Sequence, residues 1–153
     1  MAKKLNKFEC KHKWKYDKPI ITICVDFDGT VVEHCYPYIG NESPNCSEIM
    51  KRWIDEYEIG FILDTMRDGK ELDEAVKWFE ERGVDLYGVG KNPTQEKWTK
   101  SNKCHGHFSI DDRNLGCPLI IGSNNYPMTD WNKIAEMFEP KIKKLFEERV
   151  KGL

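Results

Sequence analysis

The chain has 153 residues, of which 39% are apolar and 33% are charged, and its formal net charge is −2. This length supports one compact domain with a buried core, and the net charge gives the whole molecule no strong electrostatic bias. No stretch approaches the roughly 20 apolar residues of a membrane span, and no apolar segment follows the Lys-rich N-terminus as in a signal peptide. Six cysteines without CxxC spacing predict a reducing, cytoplasmic setting.

A basic N-terminal arm at 1–18 precedes a single predicted domain at 19–153. Lysines that contact phosphates beside aromatics that stack on bases are typical of a nucleic-acid-binding arm. The alternative is a solvated arm whose aromatics pack onto the domain, and we favour it because such charge runs are usually solvated. The residues concerned are Lys3, Lys4, Lys7, Lys11, Lys13, Lys15, Lys18, Glu9, Asp17, Phe8, Trp14 and Tyr16.

The stretch Ile20–Thr30 predicts a buried strand that ends in two carboxylates. Its first residues, IITICV, are largely apolar and β-branched, which is typical of a strand covered on both faces in a parallel sheet. Asp26 and Asp28 follow, and residues two apart in an extended chain point the same way. Gly29 permits a tight turn, and Thr30 can bond or cap the segment that comes next.

The segment Val31–Pro44 predicts a loop or small hairpin beside this strand end, because proline and glycine interrupt it too often for a long helix. Glu33, His34, Tyr36 and Tyr38 are candidates to line a pocket there. An unperturbed histidine titrates near neutral pH, which gives His34 a potential role in proton transfer or binding. The alternative is a surface flap with packed tyrosines.

The rest of the chain alternates between helical and strand patterns, which predicts an α/β fold with a parallel sheet and helices on both faces. Strands are expected at Phe61–Thr65, Asp85–Val89, Phe108–Ile110 and Leu119–Ile121. Helices are expected at Ser47–Tyr57 (N-cap Asn45 or Ser47, ended by Gly60), Glu71–Arg82 and Thr129–Val150, the last kinked or split by Pro140.

Three of the predicted strands end in polar side chains. The first ends in Asp26 and Asp28, the second in Thr65, and the strand at 108–110 in Asp111 and Asp112. In a parallel sheet these ends lie on one edge, which is where open α/β sheets bind ligands. Carboxylates gathered there suit a hard, oxygen-seeking cation such as Mg²⁺.

These residues supply the parts of a phosphoryl-transfer site. Asp26 can act as the nucleophile, and Asp28 can protonate the leaving group and later activate water. Asp111 can complete a Mg²⁺ site, Asp112 can hold a water bound to the metal, and Thr65 can hydrogen-bond the phosphate.

A lysine is also expected at the site, to pair with the phosphate and with the nucleophile. Lys103 is favoured because it lies eight residues before Asp111, and Lys100 and Lys97 are the alternatives. Further candidates for substrate binding are Met66, Arg67 and His34.

The stretch DFDGT, the strand ending in Thr65, a lysine and FSIDDRN resemble, in that order, the four motifs of the haloacid dehalogenase (HAD) superfamily of phosphatases. The resemblance spans residues 20–114. It implies a Rossmann-like sheet, Mg²⁺ as cofactor and an aspartyl-phosphate intermediate. It also implies that the backbone carbonyl of Asp28, and not its carboxylate, binds the metal.

The likeness is greatest to small HAD hydrolases with no large cap, because Val31–Glu58 and Arg67–Asn102 leave no room for the cap domain that selects substrate in many relatives. The substrate expectation is therefore open between a nucleotide or polynucleotide end and a sugar phosphate. A second copy of the chain is a candidate for closing the exposed site. No membrane partner is expected.

Two other functions compete with the phosphatase interpretation. One is a non-catalytic HAD-fold module that binds Mg²⁺ and a phosphorylated ligand without turnover. The other is a zinc site in which Cys104, His105 and His107 are joined by Cys117 or by the pair Cys10 and His12, although this spacing fits no common zinc finger.

Overall fold

The computed structural model describes residues 8–153, which form a four-stranded parallel sheet flanked by helices and a separate two-stranded hairpin. The elements are β1 (Ile21–Val25), α1 (Cys46–Tyr57), β2 (Ile59–Leu63), α2 (Gly69–Glu81), β3 (Gly88–Val89), β4 (Phe108–Ile110), β5 (Leu119–Ile121), β6 (Pro127–Thr129) and α3 (Trp131–Lys151). The predicted α/β class is confirmed, and the architecture is Rossmann-like.

The sheet has the strand order β3-β2-β1-β4, so β1 lies between two parallel neighbours. All five residues of β1 are buried, as its apolar sequence predicts. Val25, the last residue of β1, is in register with Leu63 at the end of β2 and with Ile110 at the end of β4. The three strands therefore end level with one another, which brings the residues that follow them together.

Alternate strand residues face the main hydrophobic core. The odd-numbered residues of β1 and β2, among them Ile23 and Phe61, belong to this buried cluster. Phe61 stacks on Trp53 of α1 with 6.5 Å between ring centroids, and Phe27 meets Trp78 of α2 edge-on at 5.8 Å.

The even-numbered residues of β1 face the opposite side of the sheet, where the irregular segment 91–107 covers them. Thr22 donates its backbone N–H to His107 Nδ1 at 2.9 Å, and Cys24 Sγ lies 3.2 Å from Cys104 Sγ. This face is thus covered by polar groups and thiols.

The bounds of two predicted strands were wrong. The second strand runs from Ile59 to Leu63 and ends before Thr65, and the third begins at Gly88. Gly60 lies inside β2, where a Cβ would come within 2.6 Å of Pro19 Cγ. The turn after α1 is made instead by Glu58, whose φ of 51° lies in the left-handed region.

The C-terminal part of the chain also differs from the prediction. β5 does not join the parallel sheet but pairs antiparallel with β6, a strand that the sequence did not indicate. Pro140 lies within α3 without splitting it. Its exposed position leaves the unpaired carbonyl one turn earlier open to solvent, so the missing N–H is tolerated.

The described part of the basic arm packs onto the domain, as the favoured interpretation predicts. Phe8, Trp14 and Tyr16 lie against the core, and the backbone N–H of Lys15 donates to Glu58 Oε2 at 2.8 Å. Glu58 directly precedes β2, so this contact lies at the edge where the strands begin. Lys3, Lys4 and Lys7 lie outside the described residues.

Within residues 8–153, no helix is both long enough and apolar enough to cross a membrane.

Candidate active site

Three carboxylates follow the level strand ends. Because Val25 is in register with Leu63 and Ile110, the residues Asp26, Asp64 and Asp111 each come first after their strand. Asp26 donates its N–H to the Ile110 carbonyl at 3.0 Å, and Asp64 donates to the Val25 carbonyl at 2.8 Å. The backbone thus fixes all three acids at one edge of the sheet.

Asp26, Asp111 and Asp112 converge, with one carboxylate oxygen from each within 4.8 Å of the others. Thr30 organises this group, because its Oγ1 accepts the Asp112 N–H at 3.0 Å and lies 3.2 Å from Asp26 Oδ2. The Thr30 carbonyl in turn accepts a hydrogen bond of 2.8 Å from the indole of Trp131, which anchors the turn to α3. The predicted convergence of these acids is therefore present.

The electrostatics of this carboxylate group centre on Asp26. Burial raises the pKa of Asp26 to about 7, with further contributions from the negative charges of Asp111 and Asp112, while hydrogen bonds from Phe27 and Thr30 act in the opposite direction. Among residues 8–153, no lysine or arginine lies within ion-pairing distance of Asp26 or Asp111. A divalent cation with a preference for oxygen ligands, such as Mg²⁺, fits this donor set.

Asp28 is held by Arg67. The guanidinium donates from Nε and Nη2 to the two carboxylate oxygens of Asp28, each at 2.7 Å. It also reaches the segment at residues 31–44, here called the flap, with Nη2 donating to the Tyr38 carbonyl at 2.9 Å and Nη1 to the Pro37 carbonyl at 3.3 Å. Only 1% of the Arg67 side chain is exposed, so it faces Asp28 and the flap, and its predicted role in substrate binding would require these contacts to open.

The other predicted substrate-binding groups lie around the same edge. His34 Nε2 is 2.9 Å from Asp112 Oδ2, and its ring lies over Gly29, where a Cβ would come within 1.9 Å of His34 Nε2. Thr65 Oγ1 accepts the Arg67 N–H at 3.1 Å. Met66 is 95% exposed. His34 therefore joins the carboxylate group, and Thr65 and Met66 follow β2 at the same edge.

Lys103 is exposed on the segment before β4. Its backbone carbonyl accepts a hydrogen bond of 2.6 Å from Gln95 Nε2, but its ammonium forms no ion pair within the part of the chain that the structure describes. Lys97 and Lys100 are likewise exposed and unpaired there. The choice among these three lysines stays a prediction.

The alternative zinc cluster of Cys104, His105 and His107 gains no support, because these side chains have other contacts. His107 Nδ1 is occupied by Thr22, and His105 packs edge-on against Trp98 at 5.3 Å. Cys104 is turned towards Cys24, and the hydrogen bond between the two sulfurs raises the pKa of the Cys24 thiol and lowers that of Cys104. Within the described residues, Cys104 is grouped with Cys24 and Asp64 and not with the two histidines.

Two features of the site were not predicted from the sequence, namely the position of Asp64 and the partner of Glu33. Asp64 is visible in the sequence ILDT, but its position level with Asp26 depends on the register between strands, which a single sequence does not give. Glu33, at 4% exposure, accepts hydrogen bonds from the backbone N–H and hydroxyl of Ser123 in the β5–β6 turn. This bond fastens the flap, and no local pattern signals it, because the partners are 90 residues apart.

Comparison with known proteins gives one informative match. No protein-family model matches the chain, and no curated protein does. A solved structure of a conserved protein from Bacteroides thetaiotaomicron matches with a TM-score of 0.65 and 38% sequence identity, over 79% of this chain and 91% of that chain. This chain therefore belongs to the same family as that conserved Bacteroides thetaiotaomicron protein.

Proposed function

We propose that the protein is a Mg²⁺-dependent phosphatase of the HAD type, which hydrolyses a phosphomonoester through an aspartyl-phosphate intermediate. The observation that carries the proposal is the convergence of Asp26, Asp111 and Asp112 within 4.8 Å at the carboxyl ends of parallel strands. The order of the four sequence motifs supports it further. Mg²⁺ held by these carboxylates would offset the negative charge that gathers when a phosphate binds.

The proposed reaction has two halves. A carboxylate oxygen of Asp26 attacks phosphorus, the bond from phosphorus to the ester oxygen breaks, and Asp28 gives a proton to the departing alkoxide. Asp28 then takes a proton from water, whose oxygen attacks phosphorus and breaks the bond to Asp26. Phosphate leaves and the Asp26 carboxylate is restored. Thr65 and Lys103 are proposed to bind the phosphate oxygens.

Small phosphorylated molecules are the proposed substrates. Tyr36 and Tyr38 are exposed on the flap beside Arg67, and such side chains can stack on a nucleotide base or a sugar. A polynucleotide end has less support, because the described part of the basic arm contacts Glu58 at the opposite edge of the sheet.

Two further parts of the proposal rest on the sequence. A second copy of the chain is proposed to close the open site, because no cap domain lies between the motifs. A cytoplasmic location is proposed because the six cysteines lack paired spacing.

The test is phosphate release from a panel of nucleotides, sugar phosphates and phosphorylated oligonucleotides, with Mg²⁺ or with a chelator. Asp26→Asn should abolish turnover because the amide cannot attack phosphorus. Asp55→Asn, an exposed change on α1, is the matched control and should keep full activity. Equal turnover in Asp26→Asn and the unmodified chain would exclude the covalent mechanism.

The pairing of Asp28 with Arg67 favours a second candidate, the non-catalytic module. Both carboxylate oxygens of Asp28 accept a hydrogen bond of 2.7 Å from the Arg67 guanidinium. In this arrangement Asp28 is not free to exchange a proton with a substrate. If the chain binds Mg²⁺ and a phosphorylated ligand in calorimetry but releases no phosphate from any member of the panel, this alternative holds.

A further inference from the structure

We propose that Cys24, Asp64 and Cys104 form a second metal site, for a thiophilic divalent ion such as Zn²⁺, beside the carboxylate group at the strand ends. Cys24 comes from β1, Asp64 follows β2, and Cys104 belongs to the irregular segment that covers this face of the sheet. One ligand atom from each lies within 4.8 Å of the other two. The inference does not rest on the proposed phosphatase activity.

The separation of the two sulfurs fits shared coordination. Cys24 Sγ and Cys104 Sγ are 3.2 Å apart. Two thiolates on one tetrahedral zinc lie roughly 3.7 Å apart, since each Zn–S bond is about 2.3 Å. Because Cys104 sits on a loop, a small rotation of its side chain is enough to supply the difference. A site with three protein ligands leaves the fourth position for water or another small ligand.

Asp64 is available as the third ligand. Its side chain is exposed, and among residues 8–153 the carboxylate forms no ion pair and accepts no side-chain or backbone hydrogen bond. Its backbone N–H donates to the Val25 carbonyl at 2.8 Å, which fixes the residue at the end of β2. Within the described residues, no other protein group therefore competes with a cation for its carboxylate oxygens.

Buried polar side chains hold the backbone on either side of Cys104. Gln95 is 1% exposed; it donates to the carbonyls of Ser101 and Lys103 and accepts the His105 N–H at 2.8 Å. Asn92, also 1% exposed, donates to the His105 carbonyl at 2.9 Å. These bonds bracket Cys104 and fix the loop against β1.

The backbone at Gly106 completes the surroundings of the sulfurs. At Gly106, a Cβ would lie 3.0 Å from Cys24 Sγ, so any larger residue would crowd this sulfur. The segment is thus shaped around the pair of thiols.

The two metal sites differ in ligand chemistry. Asp26, Asp111 and Asp112 offer only oxygen, which suits Mg²⁺, whereas two sulfurs select zinc and related ions. A bound ion would tie the segment carrying Lys103 to β1 and to the end of β2. The role assigned to this site is therefore to hold that segment in place.

The experiment uses the full chain, reduced and freed of metal, and titrates it with Co²⁺ alone as a spectroscopic probe. We expect one ion per chain to give thiolate-to-cobalt charge-transfer absorption, and this absorption should be lost on addition of Zn²⁺ but not of excess Mg²⁺. Cys104→Ser lies on the loop and spares the core; it should weaken binding on the order of 100-fold or more and remove most of this absorption. Asp64→Asn should weaken binding while leaving the absorption in place at saturation.

Two controls keep the result distinct from the proposed phosphatase site. Cys10→Ser removes a thiol outside the site and should leave the titration unchanged, and Asp26→Asn should keep the thiolate absorption while disturbing the neighbouring site. Absence of the absorption in the folded, reduced chain would overturn the proposal. So would a disulfide between Cys24 and Cys104 that persists in the purified chain under mild reductant, because it would show the pair to be a redox couple.

Discussion

Arg67 donates two hydrogen bonds of 2.7 Å to the carboxylate of Asp28 and two more to flap carbonyls, so one guanidinium joins the second acid of DFDGT to the flap. The guanidinium also lies 5.0 Å from the ring centroid of Phe27. While these hydrogen bonds are in place, both carboxylate oxygens of Asp28 are occupied by Arg67. Proton transfer by Asp28 in the proposed reaction therefore requires Arg67 to move.

Arg67→Ala should lower the free energy of unfolding by about 3–5 kcal/mol, because removing one member of a buried pair leaves the other charge unpaired. Urea denaturation measures the change. Arg67→Lys should recover part of the loss, since it keeps the charge but not the two-pronged bond. Arg113→Ala, an exposed change next to the same site, should lie within about 0.5 kcal/mol of the unmodified chain. Equal stability of the Arg67 and Arg113 variants would contradict the structural role of the pair.

The metal-free chain should become less stable as the pH rises from about 4 to about 7, owing to Asp26. Its folded-state pKa is raised to about 7, so in this window the folded chain keeps a proton that the unfolded chain has lost, and the charged form is disfavoured in the fold. Asp26→Asn should remove this part of the pH dependence. The measurement is the difference in unfolding free energy between the two chains, in chelator, across that range.

Mg²⁺ should reverse the same effect, because it favours the charged form of Asp26. The unmodified chain should gain thermal stability on addition of Mg²⁺ at pH 8, and Asp26→Asn should gain much less. A pH profile that is identical for both chains in chelator would show that Asp26 is not held neutral by its surroundings.

Lys103→Ala should reduce turnover by at least about 100-fold if Lys103 stabilises charge on the reacting phosphate. Lys97→Ala and Lys100→Ala are matched controls from the same segment and should alter mainly KM. In the structure the Lys103 ammonium is not paired with the carboxylates, so the prediction requires it to turn towards a bound phosphate. Loss of turnover in Lys100→Ala with normal turnover in Lys103→Ala would show that Lys100, and not Lys103, stabilises the phosphate charge.

Glu33→Gln should lower the free energy of unfolding by roughly 1–3 kcal/mol, because the buried carboxylate accepts from both the N–H and the hydroxyl of Ser123. The amide keeps the shape but weakens these bonds. Glu148→Gln, an exposed change on α3, is the control and should have little effect. Since Glu33 fastens the flap, KM of the proposed reaction should rise more than kcat falls. An unchanged KM would show that the flap does not contribute to substrate binding.

Local patterns predicted the elements whose character is set by their own residues. β1 follows from its β-branched run, and α1 and α2 follow from apolar residues at helical spacing. Bounds were less accurate, since Gly60 was read as a helix stop although it lies within β2 against Pro19. β6 was missed because its pairing with β5 is a contact between segments, which leaves little trace in either one.

The sequence by itself determined the α/β class and the positions of Asp26, Asp28, Asp111 and Asp112 just after predicted strands, because hydrophobic periodicity and the order of residues along a strand are local properties. Only the tertiary structure decided which side chains meet. Strand register placed Asp64 level with Asp26, the fold turned Arg67 inward onto Asp28, and the segment before β4 brought Cys104 to Cys24. These partners lie 39 and 80 residues apart, and contacts over such distances depend on how the whole chain packs.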